Sequence, residues 1–246
     1  MTEFLESKSK KSKIYWLPNA FTTLSLFAGF YSIVQAMNND FLNASIAIFV
    51  AMIFDALDGR IARLTKTESS FGAQYDSLSD MVSFGVAPAL IIYEWELYSL
   101  GKIGWLASFT FCGCAALRLA RFNANIFKVE KNFFQGLPSP AAAAFLASYV
   151  LFCEVENFQI NIHTELLWCF AVFASLSMVS NIPYFSGKQF NYRKTVPFSV
   201  IVLISFGVVF GIQLLETLPE ILFLLSFIYV LSGYLFKVRS FFKKSS

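Results

Sequence analysis

The sequence predicts an all-α fold: a polytopic integral membrane helical bundle of about eight transmembrane helices, with both termini cytoplasmic. Three observations point to it. Hydrophobic residues make up 57% of the 246 positions, and 30 positions are phenylalanine. The apolar residues gather into runs close to the ~20 residues that carry a helix across a bilayer. Nearly all the positive charge falls in alternate connections between those runs.

The first run, Pro18 to Ala36, follows a basic start and ends Val34-Gln35-Ala36, much as a secretory leader does. Cleavage there would move the amino terminus outside and reverse the charge pattern, so an uncleaved helix is expected. The second and third runs are Phe41 to Arg63 and Gly72 to Trp95. Polar residues 64–71 join them, long enough to turn the chain back but too short to hold a domain. The fourth, Ile103 to Phe122, carries Arg118 and Arg121 one helical turn apart at its end. The fifth, Pro138 to Val155, is entered through Gly136-Leu137-Pro138-Ser139-Pro140. Leu166 to Ile182, Pro197 to Leu215 and Leu218 to Lys237 complete the series. Eight spans use about 160 residues, and the remainder suffices only for loops. One membrane domain, residues 1–246, is expected, with residues 1–16 as a basic cytoplasmic segment.

Charge sets the orientation. With a cytoplasmic amino terminus, 18 of the 19 Lys and Arg residues lie inside, and only Lys102 lies outside. The outer connections hold Asp40, Glu94, Glu96, Glu154, Glu156, Glu165, Glu216 and Glu220. Such a bias orients a multi-span protein, and the basic ends suit anionic headgroups. Cys112, Cys114, Cys153 and Cys169 lack metal-ligand or redox spacing and read as packing residues. His163, the only histidine, falls in an outer loop.

Four aspartates sit where the second and third runs meet the cytoplasm. Asp55 and Asp58 are spaced i, i+3; Gly72, Asp76 and Asp80 are spaced i, i+4, i+8. Each spacing keeps its carboxylates on one side of a helix, and two antiparallel helices aim them at one point. Carboxylates at a membrane edge are costly to dehydrate and mark function. Oxygen ligands at this spacing suit one or two hard divalent cations, Mg2+ or Mn2+. Gly59, Ala62 and Gly72 leave room for a bulky polar ligand, and Arg63 offers a fork for phosphate oxygens. Carboxylates repel phosphate unless cations stand between, so an activated phosphoryl compound with a lipid portion is the logical substrate.

Read in full, Asp55-x2-Asp58-Gly59-x2-Ala62-Arg63-x8-Gly72-x3-Asp76-x3-Asp80 resembles the signature of the CDP-alcohol phosphotransferase family, with every spacing intact. Leu17-Pro18-Asn19, the stretch Ala115 to Asn123, Phe134 to Ala141 and Met178 to Tyr184 look like its branch of bacterial membrane-embedded phosphatidylserine synthases. The resemblance implies transfer of a phosphatidyl group from CDP-diacylglycerol to L-serine, with release of CMP. It implies Asp55, Asp58, Asp76 and Asp80 as metal ligands for two ions, and Asp80 also as the general base. Asn19, Thr22, Asp58, Gly59, Arg63 and Ser69 would contact the CDP-diacylglycerol. A catalytic six-helix core at 17–182, two additional helices within 195–238, a homodimer and an inner-membrane site facing the cytoplasm complete the expectation.

Serine is a zwitterion whose carboxylate needs a cationic or amide donor. Arg118, Arg121, Asn123 and Ser139 have the charge and depth for this, although both arginines also suit a plain headgroup anchor. The nearest rival acceptor is glycerol 3-phosphate, used by a phosphatidylglycerophosphate synthase; its extra charge would want a denser basic pocket. A cation transporter would place its carboxylates nearer the midplane on broken helices, and Arg63 would oppose cation passage. A purely structural pairing of Asp58 with Arg63, or of Asp80 with Arg121, leaves the metal-binding spacing unexplained. No nucleic-acid partner is expected.

Overall fold

The computed structural model describes residues 16–65, 67–124, 133–156, 163–185 and 217–244. The expected seventh run at 197–215, all but Trp16 of the basic segment 1–16, and Lys66, Lys128, Lys131, Lys188, Arg193 and Lys194 lie outside the described residues.

Helix α1 (Trp16–Met37) and α2 (Phe41–Thr65) form an antiparallel pair. Asn39 turns the chain with a left-handed φ of 60°, a conformation that asparagine tolerates. Asp40 then accepts the Asn43 N–H at 3.1 Å, capping the start of α2. Inside the pair, Ser25 donates to the Ala51 carbonyl at 3.0 Å and Ser32 to the Ala44 carbonyl at 2.8 Å. Short polar side chains are effective helix-to-helix ties where there is no water to compete.

The expected third span is helical throughout its length but is not one uniform helix. It consists of α3 (Ser70–Asp80), a π-helical turn (Met81–Val86) and α4 (Ala87–Trp95). Pro88 is the physical reason. Its missing N–H leaves the carbonyl four residues back without an α-helical donor, and its ring crowds that turn. The chain widens instead, and the Ala87 N–H reaches back five residues to the Val82 carbonyl. The widened turn also receives α1. A Cβ on Gly29 would lie 2.7 Å from Ser83 Cα, so only glycine permits this approach.

A 3-10 turn (Leu97–Leu100) and Gly101, at φ 57°, lead into α5 (Lys102–Ala124). Helices α6 (Ser139–Glu156), α7 (His163–Val179) and α8 (Leu218–Lys244) follow. Helix α6 is the centre of the bundle. Ala143, Phe145, Leu146, Val150 and Leu151 are all sealed from solvent, so it is buried all round. The outward faces carry Phe27 and Phe30 on α1, Trp105 and Phe109 on α5, and Leu224 and Ile228 on α8. Among the described residues, five helices are long and apolar enough to cross a membrane: α1, α2, α5, α6 and α8. The protein is an all-α polytopic membrane protein.

The expected bundle gains one short ribbon. Strand β1 (Phe133–Gln135) pairs antiparallel with β2 (Pro183–Phe185), Phe134 opposite Tyr184. Gly136, at φ 79°, then turns the chain across the end of α7, where a Cβ would collide with the Met178 carbonyl oxygen. The Leu137 N–H donates to the Ser177 carbonyl at 2.9 Å, and Ser139 starts α6. The four cysteines are free thiols.

Candidate active site

Asp55 and Asp58 lie on α2, and Asp76 and Asp80 lie on α3, whose start faces the end of α2 across residues 66–69. The structure brings three of the four together: Asp55, Asp76 and Asp80 each place a carboxylate oxygen within 4.8 Å of the other two. Asp55 is within hydrogen-bonding reach of both partners. Three acids converging in a largely buried place repel one another unless positive charge arrives. The Oδ1 of Asp80 is sealed from solvent and accepts no hydrogen bond. An orphaned buried acceptor beside two further carboxylates fits a hard divalent cation, which takes oxygen ligands.

Asp58 lies one turn further along α2 and is only 5% exposed. Thr22 Oγ1 on α1 approaches its Oδ2 at 2.6 Å, closer than the 3.2 Å to the Pro18 carbonyl. The single hydroxyl proton therefore serves the carboxylate, as the short distance of a charge-assisted bond indicates. The Thr22 carbonyl in turn accepts from Ser79 on α3 at 3.1 Å. One residue of α1 thus fixes the spacing of both acid-bearing helices.

The mouth is built from small and amide side chains. Ser69 caps α3, its Oγ accepting the Gly72 N–H at 3.0 Å. A Cβ on Gly72 would lie 3.1 Å from Ser69 Oγ and 3.6 Å from Asn19 Oδ1, so these three residues face one another. Gly59 is exposed on α2, and Arg63 reaches back over it, Nε donating to the Gly59 carbonyl at 2.8 Å. That bond points the rest of the exposed guanidinium along the carboxy-terminal end of α2.

Of the residues singled out for an acceptor carboxylate, Arg118 joins the acids and Arg121 does not. Arg118 is 9% exposed, and its Nη1 donates to Ser139 Oγ at 2.8 Å. Its Nε is buried without a hydrogen-bond partner, and its charge lies within Coulombic reach of Asp80. Arg121 is instead spent on the end of α7: Nη2 donates to the Val179 carbonyl at 2.9 Å, and Nη1 to the Ser180 carbonyl at 3.4 Å. Cations satisfy the free carbonyls of a helix carboxy terminus in this way. Asn123 donates to Ser77 Oγ at 3.0 Å and ties α5 to α3.

Sequence reasoning missed several participants. Tyr75 hydrogen-bonds Thr23 at 2.9 Å and stacks on Phe71, with centroids 6.1 Å apart, beside the Asn19 end of the mouth. The i, i+4 spacing of Phe71 and Tyr75 was the available signal. Tyr229 of α8, which packs its ring on the buried Tyr184 with centroids 5.9 Å apart, had no local signal at all.

A carboxylate cluster opposed by a buried arginine, at one end of an apolar bundle, suits a reaction on phosphate esters. The comparisons agree. The sequence profile of the CDP-alcohol phosphatidyltransferase family matches residues 15–179. The chain belongs to this family. It is 39% identical over 197 residues to the CDP-diacylglycerol--serine O-phosphatidyltransferase of Helicobacter pylori, covering 80% of this chain and 82% of that one. The protein of the same name from Methanocaldococcus jannaschii is 40% identical over 183 residues, 73% of this chain and 80% of that one. The Saccharomyces cerevisiae protein of that name is 39% identical over 139 residues, about half of each chain. All the acids, and Arg118, fall within the profile-matched segment.

Proposed function

We propose that this protein transfers the phosphatidyl group of CDP-diacylglycerol to the hydroxyl of L-serine, releasing CMP. The observation that carries the reading is the opposition of the Asp55–Asp76–Asp80 cluster to the buried Arg118, in a chain whose relatives bear that activity in their name.

Asp55, Asp58, Asp76 and Asp80 would hold one or two divalent ions, Mg2+ or Mn2+. When bound, these would neutralise the pyrophosphate and polarise the phosphorus under attack. Thr22 orients Asp58 for that task. Asn19, Ser69, Gly59 and Arg63 line the mouth where the CDP group enters, and Gly72 leaves its floor open. Arg118, steadied by Ser139, receives the serine carboxylate through its unpartnered Nε. That pose brings the serine hydroxyl toward Asp80, which takes its proton. The serine oxygen forms a bond to the lipid-bearing phosphorus while the bond to the CMP oxygen breaks. Arg121 and Asn123 act on this pocket from behind, through α7 and Ser77.

The catalytic unit comprises residues 17–182, and helices within 195–238 are additions to it. The site faces the cytoplasm from a multi-pass inner-membrane protein with both ends inside, as the charge distribution supports. The working form is a homodimer. Purified protein given CDP-diacylglycerol, Mn2+ and either radiolabelled serine or radiolabelled glycerol 3-phosphate tests the reading. Serine label is expected in lipid, with equimolar CMP. Incorporation only from glycerol 3-phosphate, or no CMP at all, would overturn it.

A further inference from the structure

The turn that delivers Ser139 to Arg118 has two anchors, and α8 grips both. The Gly136 N–H donates to the Ile182 carbonyl at 2.9 Å, and the Leu137 N–H donates to the Ser177 carbonyl at 2.9 Å. Two residues further on, Ser139 Oγ accepts from Arg118 Nη1 at 2.8 Å. Tyr184, two residues past Ile182, is fully buried, and its hydroxyl donates to the Val230 carbonyl of α8 at 3.0 Å. Its ring lies against Gly233, where a Cβ would come within 2.6 Å of the ring carbons, so α8 presses directly on the tyrosine. Ser177 is held by Tyr234 of α8, whose hydroxyl lies 2.8 Å from its Oγ. The Ser177 hydroxyl proton goes to the Phe173 carbonyl at 2.7 Å, so the phenol is the donor. Tyr184, Val230, Gly233 and Tyr234 all lie beyond residues 15–179, the segment matched by the family profile.

We propose that Tyr184 and Tyr234 are positioning residues for the Ser139–Arg118 pair, so that α8 sets the affinity for the amino-acid substrate from outside the family core. The inference rests on the serine-transferase reading above. A guanidinium seated on one hydroxyl goes where that hydroxyl goes. Ser139 opens α6 directly after the anchored turn, so a turn loosened at Ile182 or Ser177 moves the seat of Arg118. Binding groups tolerate little such movement before affinity falls. The aspartates on α2 and α3 hang on neither anchor, so the effect belongs to acceptor binding.

Tyr184→Phe and Tyr234→Phe each remove one hydroxyl and keep the ring. In each, the serine KM is expected to rise roughly threefold to tenfold, the scale of one hydrogen bond between uncharged groups, with the KM for CDP-diacylglycerol unchanged. In a Ser139→Ala background the same two substitutions should add nothing, because the link they act through is already cut. Ser226→Ala is the control for loosened packing: Ser226 ties α8 to Ser148 of α6 at 3.0 Å, away from the turn, and its loss should leave the serine KM as in the wild type. An unchanged serine KM in both tyrosine variants, an equal rise in both KM values, an equal effect of Ser226→Ala, or a full further rise in the Ser139→Ala background would overturn the proposal. Failure of the wild-type protein to use serine would instead refute the function on which it rests.

Discussion

Thr22→Val removes one hydroxyl and almost no volume, and so isolates the contact between α1 and the acid cluster. Thr22 Oγ1 stands 2.6 Å from Asp58 Oδ2, and that carboxylate is 5% exposed, so little water can replace the lost donor. A hydrogen bond to a charged group contributes roughly 1.5–3 kcal/mol. At about 1.4 kcal/mol per tenfold, that is roughly a 10- to 100-fold change in an equilibrium constant. Losing the partner that orients a metal-binding side chain has effects of the same size. The Thr22 carbonyl still accepts from Ser79, so the helix stays seated. The assay is serine-transfer rate against Mn2+ concentration, at saturating CDP-diacylglycerol and serine. The half-saturating Mn2+ concentration should rise at least about tenfold, with most of the maximal rate recovered at high metal. A metal-activation curve coincident with the wild type, in folded protein, would refute a role for Asp58 in holding the cation and for Thr22 in orienting it.

Asp80→Asn should lower turnover by about a hundredfold or more, the range of a lost general base, measured as CMP release; wild-type-like turnover would remove Asp80 from the chemistry. Arg118→Ala should raise the serine KM by roughly tenfold or more, in initial rates with serine varied; a change confined to the KM for CDP-diacylglycerol would move the acceptor pocket elsewhere. Gly29→Ala puts a methyl group 2.7 Å from Ser83 Cα. Backbone cannot yield as a flexible side chain can, so about 1–3 kcal/mol of overpacking is expected, read as a lowered Tm in detergent. An unchanged Tm would mean that α1 sits away from the π-helical turn.

How much of this was legible in the sequence depended on how local each signal is. The four aspartates announce themselves because two short motifs sit on adjacent helices, and a four-residue link leaves few ways to arrange them. The spans announce themselves by length. The break in the third span was marked only by Pro88, and nothing local says whether a proline kinks a helix or widens it. That choice depends on α1 arriving at Ser83, a contact across 54 residues of chain. The two arginines were equivalent on paper, one turn apart on α5. They part company because Arg121 finds the open carbonyls of α7, and Arg118 finds Ser139. Both partners are distant in sequence.

The same contrast explains how the acid cluster keeps its shape. Helix α3 and its π-helical extension present separate polar faces: Asp76 and Asp80 toward α2, Ser79 and Ser83 toward α1, and Ser77 toward α5. Ser79 and Ser83 donate to the carbonyls of Thr22 and Ser25, and Ser25 passes the connection to Ala51 of α2. Each such tie contributes only about 0.6 kcal/mol in a membrane protein, too little to drive folding by itself. Their value is positional. Mutual repulsion pushes Asp55 away from Asp76 and Asp80, and apolar faces can slide past one another at small cost. A serine oxygen bound to one particular carbonyl does not slide, so the register of α2 against α3 is held through α1. The aspartates supply the chemistry, and these unremarked serines hold the distance at which the chemistry works.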